Sequence, residues 1–246
     1  FSALRNGFLP AILSGTLLAL SLPGLGFAWP VWIALIPLLA AAEFTRPLKS
    51  FLSGLICGLI LAGVTLSFIP PAARSVGISS FWSWPLLFLT AAYYGTYTGV
   101  FTVLTSVCFQ RTALKNSRFH LFVLTILIAA IWTALECIHS RLFPGLPWTF
   151  IFPGYFLWEQ TILIQIAGLT GVYGLSFLII LVNAGIYLTV RKKSLIPAAT
   201  AVTGVLICLA YGMYAHNPST ENSRESAVRV AVLQGNIRGA VKWDEK

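Results

Sequence analysis

The chain has 246 residues, 57% of them hydrophobic and only 9% charged, with a mean hydropathy of +0.84. A soluble domain carries roughly a quarter charged residues, so this composition excludes a water-covered globule and leaves a polytopic membrane protein. The net charge of +9 does not point to nucleic acid, because the sixteen Lys and Arg fall between apolar segments rather than on one basic face.

The opening FSALRNGFLP has neither a starting Met nor a small-residue cleavage site, which reads as a trimmed start rather than a signal peptide. A spanning helix needs about twenty apolar residues. Seven segments answer to that in chain order: 7–22, 30–44, 51–71, 84–109, 119–139, 161–190 and 195–213. The second is short and interrupted by Pro37, a kink that membrane bundles tolerate when neighbours satisfy the freed carbonyl. The sixth is long enough to begin as an interfacial segment near Trp158. The expected fold is thus an all-α bundle of about seven transmembrane helices over residues 1–215.

Loop charge sets the orientation. With the N-terminus cytoplasmic, the inner side carries Arg5, Arg46, Lys49, Arg111, Lys115, Arg118, Arg191, Lys192 and Lys193, against Arg74 and Arg141 outside. Trp29, Trp32, Trp82, Trp84, Trp148 and Trp158 all fall near predicted outer ends, where an apolar ring with a polar N–H anchors a helix. So many on one side also suit a surface for lipid headgroups.

Past the seventh segment the chemistry changes. Residues 216–227 read as a polar linker. The run VRVAVLQ from Val228 alternates β-branched residues and is apolar on both faces after Arg229, as in a strand inside a sandwich. A lone strand is not a domain, so 228–246 is expected to be the start of a further domain, truncated.

Few residues offer chemistry. Cys57, Cys108, Cys137 and Cys208 lie in or beside apolar segments without CxxC spacing or a nearby His, and read as packing residues. No metal cluster, P-loop, dinucleotide fingerprint or HExxH is present, and no cofactor is implied. Glu136 is the chief oddity: an ionisable residue in a span is costly and calls for a partner. His139, three residues on, and Arg141 are the candidates. Either the group shapes a functional site, or an ion pair fixes the helix end. The segment PGLPWTFIFPGY (144–155) forces a turn at membrane depth, either an ordinary loop or one wall of a lipid-accessible cavity. Gly168, Gly171 and Gly174 have the spacing of a close helix contact, and Asn183 in mid-span is expected to hydrogen-bond to a neighbouring helix.

The order and spacing of these features, with ten residues between Glu136 and Pro147–Trp148, then Gln165, TGVYGLSF, Asn183 and the terminal VLQGNIRGAVKWDEK, resemble the bacterial apolipoprotein N-acyltransferases over essentially the whole chain. QGNI followed by KWD is the most specific motif and corresponds to the first strand and loop of that family's nitrilase-like domain. The resemblance implies transfer of an acyl chain from a membrane phospholipid to the N-terminal amine of diacylglyceryl-cysteine in a lipoprotein. It implies a thioester on a Cys, a Glu as general base and a Lys stabilising the oxyanion, all three after Lys246, and so no catalytic residue within this chain. It further implies the bacterial inner membrane, with the C-terminal tail periplasmic. Trp243, Trp148 and Glu136 match family positions that would guide lipid substrates. The chain departs from the family at His139, where an Arg is usual, at Arg238, where QGNIPQ has Pro, and at SFIPPAARS, where relatives tend to keep a Trp. Two other readings stay open: a membrane anchor for a partner such as a polyprenyl-phosphate glycosyltransferase, and a small transporter, although no internal repeat supports the latter.

Overall fold

The computed structural model describes residues 8–24, 27–112, 117–142, 149–216 and 231. The described residues are helical and contain no strand. Of the expected strand over 228–233 only residue 231 is described, and Trp148 and Trp243 lie outside the described residues.

Among the described residues nine α-helices follow one another: α1 (Leu9–Leu20), α2 (Ile36–Phe44), α3 (Pro47–Thr65), α4 (Ile69–Ser75), α5 (Ser80–Thr112), α6 (Arg118–Leu142), α7 (Ala167–Thr170), α8 (Val172–Lys192) and α9 (Ile196–Ala215). Four of them, α3, α6, α8 and α9, are long and apolar enough to cross a membrane. The 33-residue α5 falls outside that set because Ser, Thr and Tyr dilute its apolar residues. At 1.5 Å per residue α5 is about 50 Å long, against a hydrocarbon core of about 30 Å. Its first turns carry exposed Phe81, Trp82 and Trp84, as suits a segment that reaches the interface. Proline marks the helix starts: α1, α2, α3, α4 and α9 each have one in the first turn, where its missing N–H costs nothing.

Two of the predicted spans differ from expectation. The third ends at Thr65, and after a turn the chain forms the short α4 rather than continuing to residue 71. The sixth is broken: a 3-10 turn (Leu163–Ile166) and the one-turn α7 precede Gly171, whose φ of 65° ends one helix before α8 begins. A positive φ comes at no steric cost only for glycine. The expected small-residue contact at Gly168, Gly171 and Gly174 is therefore not a helix seam. A Cβ at Gly168 would meet nothing within 4 Å, and the three atoms nearest one at Gly174 all belong to Thr170, in the preceding turn of the chain.

The close seam lies instead between α3 and α5, the most extensive helix pair in the bundle. A Cβ added at Gly54 would sit 2.3 Å from the Thr98 carbonyl oxygen. The approach allows the Thr102 hydroxyl to donate to the Ser50 carbonyl on the facing helix at 2.7 Å. In lipid, such packing and hydrogen bonding replace the hydrophobic drive between helices. Helix α8 is the central post. It packs on α6 and α9 and contacts α2, and it buries Leu178, Ile179, Ile180, Leu181, Ala184 and Leu188.

One end of the bundle is basic. Glu43 at the end of α2 accepts from the Tyr187 hydroxyl and pairs with Arg191 at 2.8 Å and Lys192 at 3.9 Å, both at the end of α8. Ser106 of α5 donates to the Thr45 carbonyl at 3.3 Å, and Phe109 lies 5.8 Å from Tyr187. The ends of α2, α5 and α8 and the start of α3 thus meet, which gathers Arg46, Lys49, Arg111, Arg191, Lys192 and Lys193 on one side.

Candidate functional site

Toward the opposite end, α6 presents Trp132, Glu136 and His139 on one face, since residues three and four apart share a helix face. All three are buried, Glu136 with 5% of its surface exposed and His139 with 2%. The indole N–H of Trp132 donates to Glu136 Oε1 at 2.6 Å. Among the described residues, Glu136 Oε2 and the two ring nitrogens of His139 have no partner that meets hydrogen-bond geometry. The Ser176 hydroxyl of α8 lies beside the carboxylate. It accepts the Gly154 amide at 3.0 Å, tying the 3-10 turn Pro153–Leu157 to α8.

Aromatic rings surround the imidazole. Tyr94 and Tyr97 of α5 lie 4.6 Å from it by ring centroid, Tyr93 at 5.3 Å and Phe152 at 5.6 Å. The Tyr93 and Tyr97 hydroxyls share a hydrogen bond of 3.1 Å. Deeper in, Phe101 meets Trp132 edge to face at 4.8 Å. Between these groups is a cavity of about 50 Å³, walled by α3 (Gly58, Leu61), α5, α6 and residues 151–153. That is ample for ordered solvent or a small polar group, since one water needs roughly 10–15 Å³ measured this way.

The structure buries Glu136 beside the cavity and, among the described residues, shows no ion pair for it. Its partner is Trp132, one turn earlier, and no salt bridge joins it to Arg141, whose side chain is exposed. His139 shares the cavity wall without bonding to the carboxylate. Sequence reasoning missed Tyr93, Tyr94 and Tyr97. The signal was there as YYGTY: three phenols within five residues of a span, each a polar group that needs a partner when buried. Ile151 to Pro153, within the turn segment read as either a loop or a cavity wall, do line the cavity, while Trp148 in that segment lies outside the described residues.

Elsewhere, Asn183 bridges helices as expected. Its Oδ1 accepts the Leu35 amide, and its Nδ2 donates to the Val31 and Ile179 carbonyls, each at 2.9 Å. The four cysteines are free thiols, Cys57 fully buried and the others partly so. No group of His, Cys, Asp and Glu among the described residues has the arrangement of a metal site.

Comparison with known proteins bears on what such a bundle does. The profile of the family described as apolipoprotein N-acyltransferase N-terminal domain matches residues 14–185. Among curated proteins, the apolipoprotein N-acyltransferase of Geobacter metallireducens is 33% identical over 98% of this chain and 45% of its own length. That of Coxiella burnetii is 27% identical over 95% of this chain and 47% of its own. That of Rickettsia prowazekii is 30% identical over 70% of this chain and 33% of its own. The chain spans less than half the length of the curated relatives it matches. A profile that covers most of the residues building the cavity, and a relative aligned across almost all of the chain, make this a membrane protein of the apolipoprotein N-acyltransferase family, matched through that family's N-terminal domain.

Proposed function

We propose that this chain is the membrane-embedded part of an enzyme that moves an acyl chain from a phospholipid to the N-terminal amine of diacylglyceryl-cysteine in lipoproteins. The alignment with the Geobacter relative over 98% of the chain carries this reading. In it, the bundle crosses the bacterial inner membrane seven times from a cytoplasmic N-terminus. The clustering of Arg46, Lys49, Arg111 and Arg191–Lys193 at one end supports that orientation, because basic loops stay cytoplasmic. The tail then enters the periplasm and begins a nitrilase-like domain at 228–246.

The chemistry belongs to that domain. A Cys thiolate attacks the phospholipid ester and forms a thioester as the lysophospholipid leaves. The lipoprotein amine then attacks the thioester, which releases the thiolate and forms the amide. A Glu takes and returns the protons and a Lys holds the oxyanion. In this reading the bundle holds and presents the lipids while the nitrilase-like domain carries out the acyl transfer. Holding both substrates in one leaflet removes much of their translational freedom before reaction, which is how a scaffold contributes to rate. By the family resemblance, Glu136, Trp148 and Trp243 are the residues of this chain that guide the lipid substrates.

The test is genetic. The full-length reading frame that carries this chain is expressed in a Gram-negative strain depleted of its own apolipoprotein N-acyltransferase. Restored growth, with the major lipoprotein gaining one amide-linked acyl chain by mass, is the expected result. Loss of viability despite membrane-inserted protein would refute the assignment.

A further inference from the structure

We propose that the cavity beside Glu136 and His139 is a binding site for a primary ammonium group. Both side chains are more than nine-tenths buried. Their three unpartnered polar atoms, Glu136 Oε2 and the two imidazole nitrogens, belong to residues that line one cavity. A buried polar atom left without a partner is costly, and within a membrane a carboxylate demands a countercharge. Among the described residues no Lys or Arg lines the cavity, and the N–H that reaches the carboxylate, from Trp132, is spent on Oε1.

What remains on offer defines the ligand. Glu136 Oε2 is an acceptor, and a neutral imidazole provides one acceptor nitrogen and one N–H. The rest of the wall is largely aromatic, with Tyr94, Tyr97, Phe101, Trp132 and Phe152 facing the cavity. Such rings attract a cation. A group with several N–H donors and a positive charge matches this set. It gives one N–H to Glu136 Oε2 and one to the acceptor nitrogen of His139, and the imidazole N–H takes a water or an ester oxygen. A quaternary ammonium brings charge without donors and leaves both acceptors unpaired. Anionic headgroups add a second negative charge.

Two carriers of a primary ammonium meet this protein under the acyl-transfer reading: an aminoethyl phospholipid headgroup and the free α-amine of a diacylglyceryl-cysteine peptide. The inference rests on that reading only for these carriers. Its test is a binding measurement that a protein inactive in acyl transfer would still pass or fail.

The experiment uses the full-length protein in detergent and native mass spectrometry. Phosphatidylethanolamine, phosphatidylcholine and phosphatidylglycerol of identical chains are compared, as are diacylglyceryl-cysteine peptides with a free or an acetylated amine. A charge-assisted hydrogen bond in a buried site is worth roughly a ten- to hundredfold preference. That preference is expected for the primary-amine member of the lipid series or of the peptide series, and Glu136→Gln should reduce it to near unity. Reaction of Glu136 with a hydrophobic carbodiimide, read by peptide mass on the unmutated protein, gives the same answer without a variant. Protection by phosphatidylethanolamine assigns the lipid, and protection by the free-amine peptide assigns the acceptor. Equal binding across both series, equal labelling with every ligand, or a preference that survives Glu136→Gln would overturn the proposal and leave the cavity to water.

Discussion

The packing account is most exposed at Gly54. An alanine Cβ there would lie 2.3 Å from the Thr98 carbonyl oxygen, 2.4 Å from Thr102 Oγ1 and 2.7 Å from the Gly99 Cα. Two of those three atoms are backbone and cannot swing aside. Ordinary contact begins near 3.4 Å, so α3 and α5 must part locally by about 1 Å (3.4 less 2.3). Overpacking of that kind costs about 1–3 kcal/mol. Parting also stretches the Thr102–Ser50 hydrogen bond of 2.7 Å, a further loss of about 0.6 kcal/mol by the average for membrane helices. Replacing a helical glycine by alanine returns roughly 0.5–1 kcal/mol, which leaves Gly54→Ala about 1–3 kcal/mol less stable. Gly63, on the same helix, is the control: a Cβ there meets nothing within 4 Å, so Gly63→Ala should be neutral or stabilising by up to about 1 kcal/mol. Unfolding in mixed SDS micelles, followed by tryptophan fluorescence, measures both. Equal stability of Gly54→Ala and Gly63→Ala would refute the close seam between α3 and α5.

Other outcomes follow from single residues. Asn183→Leu strands the buried Leu35 amide and Val31 carbonyl and should cost about 1–3 kcal/mol in the same assay, whereas an unchanged midpoint would show that the α2–α8 bridge contributes nothing. Trp132→Phe removes the hydrogen bond to Glu136 and leaves the whole carboxylate unpartnered, so it should destabilise by about 1–3 kcal/mol. Combining it with Glu136→Leu should recover part of that loss, and additive losses would refute the pairing. Glu43→Gln breaks an ion pair whose Arg191 is 42% exposed. Its effect should stay within about 1 kcal/mol and shrink in high salt. Single cysteines at Ser194 and Ser79 test orientation: in intact cells an impermeant maleimide should label Ser79→Cys and not Ser194→Cys, and the reverse pattern would invert the topology.

Much of the fold was legible because membrane helices write themselves as long apolar runs, and α3, α6, α8 and α9 satisfy that test in the structure as in the sequence. What the run does not encode is where it bends. LTGVYG carries no charge and no proline, so the break at Gly171 is visible only in its backbone angle. The glycine seam was misplaced for a related reason: spacing says which glycines share a face but not whether another helix comes to that face. Gly168 faces open space, while Gly54 touches backbone. Asn183 was legible as a bridging residue because a mid-span amide has few alternatives, although its partners on the other strand of the bundle were not. Glu136 stood out for the same reason. Its partner was misjudged because Trp132, one turn back, and His139 and Arg141, ahead, all lie within about one and a half turns of it, and only packing chooses among them. The tyrosines around His139 were hidden by distance along the chain, since Tyr97 and His139 meet only when α5 and α6 pack.

The central claim is that this bundle serves acyl transfer to lipoproteins, and it is tested most directly with purified components. The full-length protein is incubated with phosphatidylethanolamine carrying an isotope-labelled acyl chain and with a diacylglyceryl-cysteine peptide. The expected product is the peptide heavier by one labelled acyl group, amide-linked at its N-terminal amine, with lysophospholipid formed in equal amount. Full recovery of both substrates by folded, lipid-binding protein would contradict the account.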